Sequence, residues 1–349
     1  MATVEATIAG NDNLGLTAKY FATDQDVRWC PGCGDYSILK QVQTVMAETG
    51  LSQEDIVFIS GIGCAARFPY YMNTYGIHSI HGRAPGFASG LKSVRPDLSV
   101  WIVSGDGDCL SIGGNHLIHA LRRNFNVNLL LFNNEIYGLT KGQYSPTSPK
   151  GTITGSTPYG SLDTPFNPLS LSLGAGGSFI ARSMDRDPQH LRATILKANN
   201  HKGTSLLEIY QNCNVFNDGA FFAYTDKATK QQSTLFLESD QPLIFGENGN
   251  KGIKLEGFKP VIVNLDEGAS KDDLWVHDET DKVKASILTG FFEHYKDENT
   301  LPRPFGVLYR EERSQYEQLM EDQINETITK HGTGDLDQML SGNSTWNIE

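Results

Sequence analysis

Ser104-Gly-Asp-Gly-Asp-Cys-Leu-Ser-Ile-Gly-Gly-Asn-His116 lies between two apolar runs, Leu98-Ser-Val-Trp-Ile-Val103 and Val127-Asn-Leu-Leu-Leu-Phe132. Short, continuous apolar runs of this kind are buried strands. Leu110, Ile112, Leu117, Ile118 and Leu121 recur at roughly helical spacing between them, so the unit reads strand, Gly-rich turn, helix, strand. Asn133-Asn-Glu-Ile-Tyr-Gly138 follows the second strand. In a right-handed crossover both loops open at the carboxyl edge of the sheet, where open α/β sheets bind ligands. Gly105 and Gly107 let the backbone approach an anion, and the next helix offers its N-terminal N–H groups. Asp106 repels a bare phosphate but suits one that arrives with Mg²⁺, which wants hard oxygens in an octahedron. Asn134, 28 positions later, supplies a neutral oxygen, and the Ile136 carbonyl supplies another. Gly-Asp-Gly alone is an ordinary turn. Joined to Asn-Asn on a neighbouring strand end, it reads as a metal–diphosphate site.

The 349 residues suit one large domain or two small ones, and 39% hydrophobic content with 35 glycines fits a globular α/β protein. No apolar run approaches the roughly 20 residues of a membrane span. Met1–Asn13 lacks the basic and apolar regions of a signal peptide, so the expected compartment is the cytoplasm. Residues 226–349 hold 24 acidic and 13 basic residues, nearly all of the net charge of −12. Such a balance speaks against nucleic acid as a partner. Five cysteines in a cytoplasmic chain point to metal or redox use rather than disulfides.

Residues 1–25 are polar and read as irregular. Helices are expected over Tyr36–Glu48, Gly86–Val94 and Pro188–Asn199, and strands over Asp55–Ser60, His78–Ile80, Ser178–Ala181 and Ser205–Tyr210. Residues 138–168 form a long loop dense in Gly, Pro, Ser and Thr, a length that marks function or disorder. From Asp226 the composition turns polar. Phe305–Tyr309 reads as one further strand and Ser314–Ile328 as a charged helix, with a frayed end after Lys330. The expected division is therefore 1–225 as the binding domain and 226–349 as an extension or arm.

Cys30 and Cys33 form Cys-Pro-Gly-Cys, Cys64 lies in the Gly61–Arg67 loop, and Cys213 directly follows the last strand before residue 225. Four thiolates can hold a [4Fe–4S] cluster. They can equally hold structural Zn²⁺, although zinc sites usually pair two Cys-x-x-Cys hairpins and only one is present. A thioredoxin-like pair is the third reading, in which the other two cysteines are a coincidence. Cys109 reads as a small buried residue without a role. Arg67 and Arg83 read as surface ion-pair partners or as contacts to a diphosphate or carboxylate. His81 and His116 read as structural donors or catalysts. Lys141 is within reach of a substrate or acyl-carrier anion.

Taken together, Trp29-Cys-Pro-Gly-Cys-Gly34, Gly61-Ile-Gly-Cys64, His81-Gly-Arg-Ala84, Gly105-Asp-Gly-Asp108 and Asn133-Asn-Glu-Ile-Tyr-Gly-Leu-Thr-Lys-Gly-Gln143 resemble the β subunit of 2-oxoacid:ferredoxin oxidoreductases. The resemblance spans residues 20–225, and Tyr144-Ser-Pro-Thr-Ser-Pro-Lys150 is most similar to the 2-oxoglutarate type. It implies an α/β fold, a parallel sheet with helices on both faces that binds thiamine diphosphate, plus an acidic C-terminal extension. It implies Mg²⁺ on Asp106, Asn134 and the Ile136 carbonyl. Ile62, Gly63, Cys64, Ala65, His81, Gly82, Arg83, Ala84, Gly107, Asp108, Gly138 and Leu139 would line the cofactor. Cys30, Cys33, Cys64 and Cys213 would hold one [4Fe–4S] cluster, with Arg67 and Lys141 as the catalytic candidates. The implied reaction is CoA-dependent oxidative decarboxylation of a 2-oxoacid, best 2-oxoglutarate to succinyl-CoA, with electrons passed to ferredoxin. The Glu that activates the thiamine ring is expected on a partner α subunit, since Glu135 lies near the diphosphate end. Pyruvate or broad 2-oxoacid specificity, a non-redox decarboxylase subunit with structural zinc, and a scaffold subunit without chemistry are the alternatives.

Overall fold

Side chains along a strand alternate between the two faces of a sheet, and here both faces are apolar. In the computed structural model, which describes residues 16–346 and 348, Ile56, Phe58, Trp101, Val103, Leu130 and Phe132 cover one face. They pack with Ile38 and Val42 of helix α1 (Asp35–Thr49) and with Leu191 and Ile195 of a later helix. Their neighbours Val57, Ile59, Val100, Ile102, Leu129 and Leu131 cover the other face. There they meet Ala84 and Ala88 of α2 (Ala84–Val94), Leu117 and Leu121 of α3 (Gly114–Arg123) and Leu169 of α4 (Pro168–Gly174). The later helix on the first face is α5 (Pro188–Asn200). Pro188 opens it, and the Asp187 side chain accepts from the His190 N–H, a standard cap. The reading for Met1–Asn13 lies outside the described residues.

The strands of this sheet are β1 (Ile56–Ser60), β2 (Tyr75–His78), β3 (Ser99–Gly105) and β4 (Val127–Asn133), joined by four later ones. A small ribbon, β5 (Ile136–Tyr137) with β6 (Gln143–Tyr144), follows β4. The sheet then takes β7 (Phe179–Met184), β8 (Ser205–Tyr210) and β9 (Thr234–Phe236). A separate antiparallel sheet holds β10 (Ile244–Phe245), β11 (Lys251–Glu256) and β12 (Lys259–Asn264), and β13 (Arg303–Arg310) returns to the main one. The main order is β2-β1-β3-β4-β8-β7-β13-β9. The first six strands are parallel, β13 runs antiparallel to β7, and β9 runs parallel to β13. Chain direction reverses between β1, which leads outward to β2, and β3, which leads the other way to β4. A crevice opens at the carboxyl ends of strands at such a point.

Residues after 225 do not stand apart as an arm. Leu235, Leu237, Leu288 and Leu308 share one buried cluster with Ile59 and Leu129. The apolar run Phe305–Tyr309 is internal to β13, where both faces are covered. The charged segment is the helix Tyr316–His331, and a further helix, Leu336–Ser341, occupies the stretch expected to fray. The strand expected at His78–Ile80 ends at His78 instead. The helix after the Gly-Asp-Gly turn opens with a π-type turn, Asp108–Ile112. Turns of that kind recur at functional sites.

Candidate active site

Three loops leave the carboxyl ends of β1, β2 and β3, and one buried carboxylate ties them together. Asp108 Oδ1 accepts from the backbone N–H of Ile62 (3.1 Å) and Gly82 (2.7 Å), and it lies 2.6 Å from His81 Nδ1. Its Oδ2 accepts from the Ser104 hydroxyl. A Cβ at Gly61 would sit 2.0 Å from that carboxylate, so the β1 loop reaches Asp108 only with glycine there. Asp108 therefore lines the crevice as a bracket for the loops, with both oxygens engaged.

Asp106 is as deeply buried but differently used. Ser145 and Thr147 hydroxyls both donate to its Oδ2, Thr147 at 2.6 Å. Among the described residues no side chain donates to Oδ1. Burial pushes its carboxyl up to about 6, with Ser145 and Thr147 opposing the rise and the Glu135 carboxylate adding to it. A bound divalent cation would reverse that preference. Asn134 Oδ1 accepts from the Ile136 N–H at 3.2 Å, which turns the amide oxygen toward β5. The Tyr137 ring needs a glycine at position 107. A Cβ there would lie 2.1 Å from the Tyr137 ring, whose hydroxyl donates to the Gly107 carbonyl.

Asp106, Asn134 and Ile136 line one cavity of about 970 Å³. Ile62, Gly63, Cys64, Ala65, His81, Gly107, Asp108, Gly138 and Leu139 also form its wall. Gly82, Arg83 and Ala84 do not. Gly82 faces Asp108, the Arg83 guanidinium donates to the Ile112 carbonyl, and Ala84 opens α2 with its side chain buried in the core. Arg67 lines a smaller neighbouring cavity that shares Ile62, Gly63 and Leu139 with the first. Lys141 is exposed at a left-handed turn (φ 79°) between β5 and β6, outside the wall. His116 is also outside it, with burial, Arg83 and His119 holding its imidazole below the usual range. Glu135 sits behind Asp106 at a strained φ of 55°, its Oε1 3.4 Å from His294 Nε2. It does not line the cavity either.

The cysteines gather behind this wall. The Cys33 N–H donates to the Cys30 carbonyl, closing the Cys-Pro-Gly-Cys turn. That turn is held to the Cys213 segment by the Gly34 N–H on the Asn212 carbonyl and by Asn214 Nδ2 on the Pro31 carbonyl. A Cβ on Gly138 would lie 3.6 Å from both the Cys64 and Cys213 sulfurs, so these two flank one glycine. Burial pushes the Cys64 thiol up to about 11, with Asp35, Cys213 and Cys30 adding to the rise. Burial, then Asp35, raises the Cys33 thiol further. Asp35 is itself buried and raised to about 7, and its Oδ1 has no partner among the described residues. Among the described residues no three His, Cys, Asp or Glu side chains converge as the ligands of a single metal ion must. Cys109 is buried beside Asp108, away from the other four.

Residues 61–209 match the family described as thiamine pyrophosphate enzyme, C-terminal TPP binding domain. The chain is 48% identical over 333 residues to the 2-oxoglutarate oxidoreductase subunit KorB of Mycobacterium tuberculosis, covering 95% of this chain and 88% of that one. The chain belongs to the β-subunit family of the 2-oxoacid:ferredoxin oxidoreductases. Subunit beta of the 2-oxoacid:ferredoxin oxidoreductase 1 of Aeropyrum pernix is 43% identical, over 54% of this chain and 60% of that protein. The fold matches a 2-oxoglutarate:ferredoxin oxidoreductase from Magnetococcus marinus solved with 2-oxoglutarate, coenzyme A and succinyl-CoA bound. There the TM-score is 0.75 and the identity 30%, over 94% of this chain and 96% of that one. This β subunit is thus part of an oxidoreductase with the thiamine-enzyme fold. No helix among its described residues is long and apolar enough to cross a membrane.

Sequence reading missed the contribution of the long loop. Ser145 and Thr147 hold Asp106, and Thr147 also donates to Asn133 Oδ1 at 2.9 Å. The available signal was the Ser-Pro-Thr-Ser-Pro run itself, since prolines hold a hydroxyl-bearing segment extended. Tyr144 and Asp163, hydrogen-bonded at 2.8 Å, extend the same wall.

Proposed function

We propose that this β subunit holds thiamine diphosphate, Mg²⁺ and a [4Fe–4S] cluster, and that with its α subunit it converts 2-oxoglutarate, CoA and oxidised ferredoxin to succinyl-CoA, CO₂ and reduced ferredoxin. The observation that carries the reading is the position of Cys64, which lines the same cavity as Asp106 and Asn134 while flanking Gly138 opposite Cys213. The two groups would supply an electron sink for decarboxylation and a one-electron acceptor. Asp106 Oδ1, Asn134 Oδ1 and the Ile136 carbonyl offer Mg²⁺ one charged and two neutral oxygens, a suitable set for a cation that also binds diphosphate. Asp108 orients the β1 and β2 loops that bound the cavity. Cys30, Cys33, Cys64 and Cys213 supply the four thiolates. Arg67, in the adjoining cavity, is the cation available to an anionic substrate, and Lys141 stands at the rim. The assignment of 2-oxoglutarate follows the relatives named for it. The co-purified αβ complex tests it: CoA-dependent dye reduction should be faster with 2-oxoglutarate than with pyruvate. Faster turnover of pyruvate would reverse the substrate assignment, and a colourless complex without acid-labile sulfide would remove the cluster.

A further inference from the structure

Gln211 is the first residue after β8, and its side chain is buried between the two proposed cofactor sites (1% exposed). Its Oε1 accepts from Asn134 Nδ2 at 2.8 Å. Its Nε2 donates to the Asn212 carbonyl at 2.7 Å and faces Cys33 Sγ at 3.2 Å. Amide orientation is unambiguous here. The Ile136 N–H fixes which end of Asn134 is oxygen, and the Asn212 carbonyl fixes which end of Gln211 is nitrogen. The Gln211 N–H also bonds the Asn133 carbonyl at 2.9 Å, so the backbone that carries the side chain is tied to the metal-loop strand. One amide therefore spans from the Asn134 side chain to a cluster cysteine.

We propose that Gln211 is a positioning residue that joins the two cofactor sites: its oxygen orients Asn134 toward Mg²⁺, and its N–H tunes the cluster through Cys33. This rests on the cofactor reading above. An N–H donated to a cysteine sulfur stabilises negative charge there and so favours the reduced cluster, which raises its potential. An amide held at Nδ2 cannot rotate, so Asn134 keeps its oxygen on the side of Ile136. Hydrogen bonds behind metal ligands act in this way generally.

Gln211→Met keeps the volume and removes both contacts. Gln211→Glu, measured at alkaline pH where the carboxyl is ionised, keeps an acceptor for Asn134, removes the donor and adds a negative charge beside Cys33, so the potential of Gln211→Met is the one that reads the lost donor alone. Both variants are made in the αβ complex and read without turnover, by an electron paramagnetic resonance redox titration of the cluster and by calorimetric binding of thiamine diphosphate with Mg²⁺. The midpoint potential should move to more negative values in both variants. The dissociation constant should rise in Gln211→Met alone, by about fivefold, the size of one net hydrogen bond. An unchanged potential in a variant with full iron and sulfide overturns the inference, as does equal cofactor affinity in Gln211→Met and wild type. Should Gln211→Met fail to retain iron, Gln211→Leu, which likewise carries neither donor nor charge, takes over the potential comparison. A wild-type complex without a reducible cluster is a different failure, because it removes the cofactor reading and this inference with it.

Discussion

Asp106 divides its two oxygens between the fold and the site. Ser145 and Thr147 take Oδ2, and among the described residues no side chain donates to Oδ1. Replacing it with Ala should abolish retention of thiamine diphosphate while the iron content stays at wild-type level, because the cysteines lie on other loops. Cofactor counted per β subunit after gel filtration checks this; full stoichiometry would remove Asp106 from the metal. Cys213 is remote in sequence from the other three cysteines, and Cys109 is the competing fourth ligand. Cys109 is buried next to Asp108, whereas Cys213 shares Gly138 with Cys64. Dithionite-reduced Cys213→Ser should therefore lose or alter the cluster's paramagnetic signal, and Cys109→Ser should keep it. The reverse pattern would exchange the two assignments.

At the scale of elements, the sheet carries a buried polar ladder across four strands. Asn133 on β4 donates to Glu208 on β8 at 2.8 Å, and Arg182 on β7 donates to the same carboxylate at 2.7 Å and to the Pro304 carbonyl on β13. Both charged side chains are almost fully buried. Removing one partner of such a pair leaves an uncompensated charge, so Glu208→Ala should cost about 3–5 kcal/mol of unfolding free energy in urea. Adding Arg182→Met should recover part of the loss, since packed apolar side chains often match a buried pair. On α5, burial holds the His190 imidazole down to about 4, and its Nδ1 lies 2.8 Å from the Ser183 hydroxyl. Because the folded value is below the unfolded one, the unfolded chain binds the extra proton between about 6.5 and 4. Stability is then complete above pH ~6.5 and falls as pH drops through that window, by on the order of 3 kcal/mol. Thermal melts of His190→Gln across this range should show a flatter acid limb than wild type; an identical slope would exclude His190 as its source.

For the whole molecule, the wall of the cavity offers carboxylates, among the described residues, only at Asp106, Asp108 and Asp163. The first faces the proposed metal, the second binds loops, and the third accepts from Tyr144. Glu135 is turned toward His294. The purified β subunit should therefore show no 2-oxoacid-dependent dye reduction until its α subunit is added. Turnover by β alone near the rate of the complex would mean that the activating acid belongs to this chain. Residues after 225 belong to the same unit. Arg303 donates to Phe292 and Glu293 carbonyls and to the Tyr210 and Tyr224 hydroxyls, which clamps β13 against the end of β8.

The sequence by itself determined the parallel sheet and the Gly-Asp-Gly turn at the carboxyl end of one of its strands. Buried strands such as Val127–Phe132 announce themselves by apolar runs, and Gly-Asp-Gly paired with Asn-Asn is a local chemical pattern. Cys-Pro-Gly-Cys likewise read as a compact turn, and the Cys33 N–H closes it on the Cys30 carbonyl. Contacts between residues far apart in the chain carry no such periodic signal. That Asp108 would gather three loops, that Ser145 and Thr147 would fold back on Asp106, and that Gln211 would reach both Asn134 and Cys33 emerged only from packing. The same holds for β13. Its apolar run was visible, but its partner was decided by the open edge of β7, where an antiparallel strand satisfies backbone groups that would otherwise stay unpaired.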